Sequence, residues 1–467
     1  MKTIPLETIV VLTGGVLSSG PSDLMISSAE TSGANAASGA LIFDLHNSRY
    51  PDLRLPYFPH DRPCAIITDR PASWFAAGED LAIIQVKNSD SAYWTFVDYY
   101  RSLFHIPIVG VTGTCGKTTT KEMIRYLLEL KYSVRSTYKS MNARAHHFRY
   151  LTELDDTVQA GVYELGVAAP GDMKVACRYF RPQVGVITNI GIDHLMMFGT
   201  QEAYIREKAR MLEYVGDGGT MVLNADDEGT QRMDSSICKG NILWYGTSPR
   251  ADYRLMNIRP VEKGMQFLLR YHGRNYHFFI PLYGAFNVYN AVAAIAASHV
   301  LGIDVARAGA HLAGFQNVEK HFELSDGING STVIDDTWST NPTSAYAALE
   351  LLMRVANGKK SVAVLGKMSL LGRQSPLYHH ALGEKVSSLG VDTLVVLGAD
   401  AYEIGAGALK SGMPPQRVIF CRNSAEAFRA LKKLLNPGTV ALVKTTMLAS
   451  YTGLMSRIVP VRDELDQ

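Results

Sequence analysis

The segment Gly110-Val-Thr-Gly-Thr-Cys-Gly-Lys-Thr-Thr-Thr120 sets glycines, a lysine and a run of threonines in an order suited to holding phosphate. Gly113 and Gly116 allow backbone N–H groups to approach phosphate oxygens, with Thr114 between them. A following helix N-terminus adds partial positive charge. Lys117 is suited to the β- and γ-phosphates, and the Thr118 hydroxyl, followed by Thr119, to a Mg²⁺ ion. The strict spacing asks for Gly at 111, where this chain has Val. An ordinary Gly-rich turn is the alternative, and it leaves the Gly-Lys-Thr triplet between strand and helix unexplained. Cys115 reads as a small spacer, because no His or Asp is evidently paired with it. Glu164 stands at the end of a second apolar run, where open α/β sheets place ligands, or as a solvated strand-end carboxylate. Asn287 and Asn290 open an Ala-rich helix, where simple N-capping is also available to them.

The elements that must carry these residues follow from apolar patterning. His105–Val111 reads as a buried strand and Thr118–Leu130 as a helix, with further strands near 158–165, 183–190 and 220–224. Apolar strands alternating with helices imply a parallel sheet covered on both faces. Residues 252–282, punctuated by Gly264 and Gly273, read as an antiparallel meander beside that sheet. From residue 316 the alternation resumes, with strands at 361–366, 393–398, 417–421 and 439–444, a Rossmann-like pattern lacking GxGxxG. Residues 1–105, with short strands at 41–45, 64–68 and 81–86, read as a smaller α/β unit. The expected fold is therefore α/β in three domains: 1–105, a central P-loop domain over 106–315, and a C-terminal Rossmann-like domain over 316–467.

Composition bounds the partners. The 467 residues carry 46 basic and 44 acidic side chains, a net charge of +2, with 47% hydrophobic residues. That balance argues against a nucleic-acid or anionic-membrane binder. Apolar runs stop short of the ~20 residues a membrane helix needs. Residues 8–17 lack the flanks of a signal peptide. Five cysteines without CxxC spacing suit a reduced, cytoplasmic protein.

The motif order resembles the Mur ligase superfamily, which joins carboxylates to amines at the expense of ATP. TGTCGKTTT is similar to its TGTxGKTT loop, and Tyr163-Glu164-Leu165-Gly166 with Pro170-Gly171-Asp172 to its E-x-G region. Thr188-Asn189-Ile190-Gly191-Ile192-Asp193-His194-Leu195 resembles TNI…DHL, and Leu223-Asn224-Ala225-Asp226-Asp227 the NADD turn. Gly284–Ala294 resembles G-x-HN-x-x-NA-x-AA, with Phe286 for His. Ile334-Asp335-Asp336-Thr-Trp-Ser-Thr-Asn341-Pro342 is close to the run found in the MurF branch. The likeness spans nearly the whole chain.

The resemblance implies an ATP-dependent amide ligase working through an acyl phosphate, on a small-molecule carboxylate and an amino-acid- or dipeptide-like amine. Lys117, His194 and Lys208 would be its catalytic residues. Thr118 and Glu164 would serve a first Mg²⁺; His194 and a carbamylated Lys208 would serve a second, since a carbamate supplies oxygen ligands where an ammonium repels the ion. Gly113, Thr114, Gly116, Thr119, Asn287, Asn290, His321 and Asp336 would hold the nucleotide, Asp336 at its ribose. A monomer or weak homo-oligomer is expected, with no nucleic acid or membrane partner.

Departures fall at the substrate-facing ends. Ser32-Gly33-Ala34 stands for the Asp-Ser-Arg of the UDP-sugar motif, Lys320-His321 for Gly-Arg, and Lys444-Thr-Thr-Met447 for Lys-Gly-Ser-Arg. The Asn-x-Asn-Asn run is reduced to Ser140-Met141-Asn142-Ala143. Two readings stay open: a working ligase with a muropeptide or specialised substrate pair, or a nucleotide-binding regulatory or scaffold protein descended from one. A folate-type polyglutamylating ligase fits IDDTWSTNP less well.

Overall fold

The computed structural model describes residues 1–31, 36–45, 63–75, 80–446 and 451–460. Among them the strands form three main sheets, one in each sequence block. The first has five strands in the order Val16–Ser19, Leu81–Gln85, Cys64–Thr68, Ala40–Phe43, Ser28–Glu30, antiparallel only at its first pair. The triplet Ser32-Gly33-Ala34 lies outside the described residues, as does Met447.

The central sheet has nine strands, with Ile108–Thr112 between Ala160–Glu164 and Val184–Ile187, all parallel. The chain runs outward from this strand on one side and then returns to build the other. The carboxyl end of Ile108–Thr112 is therefore a topological switch point, where a crevice opens beyond the strand ends. The meander Tyr253–Val261, Gly264–Tyr271 and Arg274–Ile280 is antiparallel, as the glycine punctuation implies. It continues the same sheet rather than standing apart: Tyr245 and Gly246 pair in parallel with Tyr253 and Arg254.

Valines of the central strands, including Val109, Val111, Val162 and Val186, are fully buried in one core with the helices Lys117–Leu128 and Ala285–Val300. Each such side chain contributes about 1.5–3 kcal/mol. The latter helix offers Ala291, Ala293, Ala294, Ala296 and Ala297, small enough for its axis to lie close to the sheet. The third sheet has six strands, parallel except for Glu323–Asp326, and sets Thr332–Asp336 beside Thr439–Lys444. No helix among the described residues is long and apolar enough to cross a membrane.

Candidate active site

The loop Gly113–Gly116 leaves the central strand at the switch point and enters the helix Lys117–Leu128. Gly116 has φ 78°, and a Cβ there would strike the Asn290 carboxamide. Only glycine suits this position on both counts. The TNI motif pins the loop. Thr114 N donates to Asn189 O at 2.8 Å and Cys115 N to Asn189 Oδ1 at 3.0 Å, while Thr188 Oγ1 donates to Cys115 O at 2.6 Å. The NADD turn holds that motif in place: Asn224 Nδ2 donates to Thr188 O and Asp227 accepts from Ile190 N. Lys117 Nζ folds back to Thr114 O at 3.0 Å. Thr119 is buried and also lines the cleft. Burial pushes the Cys115 thiol up to about 11, so it is no activated nucleophile.

Thr118 Oγ1 donates to Glu164 Oε2 at 2.9 Å, and Asn142 Nδ2 to Glu164 Oε1 at 2.6 Å. Glu164 is buried, not a solvated strand-end carboxylate. Lys208, on the helix Gln201–Tyr214, is likewise buried where helix periodicity alone suits a surface lysine. Its Nζ donates to Thr112 Oγ1 at 3.2 Å and sits 4.7 Å from the centre of the Tyr204 ring. Burial holds its amine well below the ordinary lysine range, and nearby Lys117 lowers it further. His194 stacks with the same Tyr204 ring, 5.9 Å between ring centres, with its Nδ1 buried and unpartnered. Burial lowers the His194 imidazole, with Asp193 opposing the shift.

Asn287 and Asn290 do not cap their helix, whose N-cap is Gly284. Asn287 Nδ2 donates to Tyr283 O at 2.8 Å, and Asn290 Nδ2 to Asn287 Oδ1 at 3.2 Å, which sets both amides against the loop.

The third block closes over these groups. Asp336 pairs with Lys444 at 2.6 Å, both buried. Burial raises the Asp336 carboxyl and Lys444 pulls it back. His321 is bound through Nδ1 to Glu319 O at 2.8 Å and stacks on Trp338. Burial lowers its imidazole, the Glu319 carbonyl opposing. Asn341, Thr343 and Ser344 reach the cleft from the start of the helix Pro342–Ala356. A cleft of about 760 Å³ results. Thr114, Gly116, Lys117, Thr118, Glu164 and His194 line its central half, with Asn287 and Asn290 beside them; His321, Asp336 and Lys444 line the closing half.

Three contributors carry no site role in the motif order. Asn142, the remnant of a degenerate run, grips Glu164; Thr112 holds Lys208; Lys444 balances Asp336. Only tertiary contact distinguishes them, and no spacing in the sequence encodes it. No group of three His, Cys, Asp or Glu suited to a metal occurs among the described residues. The donor set at Thr118 and Glu164 fits a hard ion that keeps phosphate and water oxygens, as Mg²⁺ does.

Similarity to known proteins agrees with this geometry. The family described as Mur ligase middle domain matches residues 111–298, and that described as Mur ligase, glutamate ligase domain, residues 322–446. The UDP-N-acetylmuramoyl-tripeptide–D-alanyl-D-alanine ligase of Bacillus subtilis is 30% identical over 368 residues, 79% of each chain. The Escherichia coli ligase of the same name is 26% identical over 332 residues, 70% of this chain and 73% of that one. In fold, MurF from Acinetobacter baumannii superimposes with a TM-score of 0.84 at 24% identity, covering 98% of both chains. MurF from Thermotoga maritima, solved with ADP, gives 0.77 at 22%, covering 92% and 96%. The phosphate loop at the switch point, the buried Glu164 and Lys208 around it and these likenesses lead to one assignment: the chain belongs to the Mur ligase family of ATP-dependent ligases, with a MurF-like architecture.

Proposed function

We propose that this protein activates a carboxylate by transferring the ATP γ-phosphoryl group to it, and then joins the acyl phosphate to an amine. Lys208 is the observation that carries this reading. A lysine amine buried beside Lys117 costs folding energy that nucleotide binding alone does not require. Burial makes this amine easier to deprotonate, which favours its attack on CO₂, and the carbamate would turn a cation-repelling group into an oxygen donor. The regulatory or scaffold alternative gives such a residue no task.

Residues 1–105 take the acid, 106–315 the nucleotide, and 316–467 close with the amine. Lys117 and the loop amides cradle the phosphates; Asn287 and Asn290 face the base, and Asp336 and His321 the ribose and phosphate end. Thr118 and Glu164 would hold one Mg²⁺, His194 and carbamylated Lys208 a second; bound there, the ions neutralise charge on the phosphoryl oxygens. Closure excludes water from an intermediate that hydrolysis would waste. The acid and amine pair named for the relatives, a UDP-N-acetylmuramoyl tripeptide and D-alanyl-D-alanine, is the first to test, in a cytoplasmic setting.

The experiment is ATP turnover with that pair and with other acids and amines, trapping acyl phosphate as hydroxamate. ADP release that never depends on a carboxylate would overturn the reading. Lys208→Ala should abolish turnover while nucleotide affinity persists; full turnover in that variant overturns the role of Lys208, and a wild-type protein that binds nucleotide without any turnover favours a scaffold.

A further inference from the structure

Lys121 lies one turn beyond Lys117 on the phosphate helix, its side chain wholly buried and outside the cleft. An ammonium has three N–H donors, and three acceptors surround this one. They are Thr137 O at 2.7 Å, Lys139 O at 2.9 Å and the Glu122 carboxylate. The ammonium thus fastens the stretch 137–139, in which Lys139 adopts a left-handed φ of 48°.

That stretch and its continuation grip Glu164 at two points. Thr137 Oγ1 accepts from Glu164 N at 2.9 Å, and Asn142 Nδ2 donates to Glu164 Oε1 at 2.6 Å. The remaining carboxylate oxygen takes the Thr118 hydroxyl, three residues before Lys121 on the same helix. One helix therefore reaches Glu164 directly through Thr118 and indirectly through the Lys121-bound segment. Without the ammonium, the buried Thr137 carbonyl would lose this partner, as would the half-buried Lys139 carbonyl, while Glu122 would keep Arg125. The segment would shift to recover hydrogen bonds, and Glu164 with it.

We propose that Lys121 is a positioning residue that sets the Glu164 carboxylate for its cation by clamping residues 137–142. The proposal rests on the reading of Glu164 given above. The test is calorimetric ADP binding with and without Mg²⁺, together with thermal melting, for Lys121→Met, Thr137→Val, the double variant and Glu164→Gln. Lys121→Met should weaken the Mg²⁺ dependence of ADP binding about tenfold, as loss of an outer ligand partner does. Metal-free ADP affinity should stay within about twofold. Thr137→Val, which leaves the ammonium in place, should move the same quantity, and the double variant should add little to Lys121→Met. Thr137→Val also keeps the test decisive if Lys121→Met does not fold. A lowered melting temperature with unchanged Mg²⁺ dependence in both single variants overturns the role of Lys121. An unchanged Mg²⁺ dependence in Glu164→Gln instead overturns the metal reading of Glu164, and the proposal with it.

Discussion

Asn341 Nδ2 donates to Asp193 Oδ2 at 3.1 Å, joining residues 148 positions apart in the chain. The same carboxamide caps its own helix, accepting from Ser344 N at 2.8 Å, and lies 3.5 Å from Cys115 Sγ. One side chain thereby ties the closing domain to the phosphate loop and to the residue preceding His194. Asn341→Asp keeps an oxygen for the cap but sets a second carboxylate against Asp193. Turnover should fall by about tenfold or more, the worth of a hydrogen bond to a charged group, while the melting temperature changes little. Steady-state kinetics and a melt on one preparation check it; an equal loss of stability and rate would point to the cap instead.

Gly191 lies where the two halves touch: a Cβ there would collide with the Thr343 hydroxyl, which accepts from Ile192 N at 3.1 Å. Gly191→Ala should therefore hold the domains apart. Small-angle scattering with nucleotide should report a larger radius than wild type, and turnover should drop, with ADP affinity retained. A closed, active Gly191→Ala protein would contradict the contact.

His147 is buried against Phe180, and burial lowers its imidazole to about 4. An unfolded histidine titrates near 6.5, so between the two values the unfolded chain binds the extra proton. Stability from this group is present above about pH 6.5 and is lost as pH falls toward 4, on the order of 3 kcal/mol in total. Urea melts from pH 7 to 4 should show this slope, and His147→Phe should flatten it.

Asp336 and Lys444 form a buried pair, so removing one partner strands the other. Lys444→Met should destabilise by about 3–5 kcal/mol, and Lys444→Met with Asp336→Asn by clearly less. Denaturant melts of both variants give the comparison.

Much of this arrangement was legible in the sequence. The strand–loop–helix at 108–128 and the meander glycines announced themselves because local patterning dictates them. The Rossmann-like alternation after 316 did so for the same reason. Glu164 and Lys208 were legible only as motif members: a carboxylate at a strand end and a lysine in a polar helix look solvated until tertiary packing buries them. Asn142 was harder still, since its value lies in reaching Glu164 across 22 residues. Nothing in its local sequence distinguishes that amide from one in an ordinary loop.

The switch-point strand also fixes an order of assembly. Every central-half residue of the cleft, from Thr114 to Asn290, precedes every closing residue, from His321 to Thr446. Synthesis runs from the N-terminus, and domains fold as units as they emerge. A nascent chain that has emerged through residue 300 thus carries the central half of the cleft and none of the groups that cover it. The residues given to the nucleotide in the proposed function are in this sense the older part of each molecule, and those that cover them are made last.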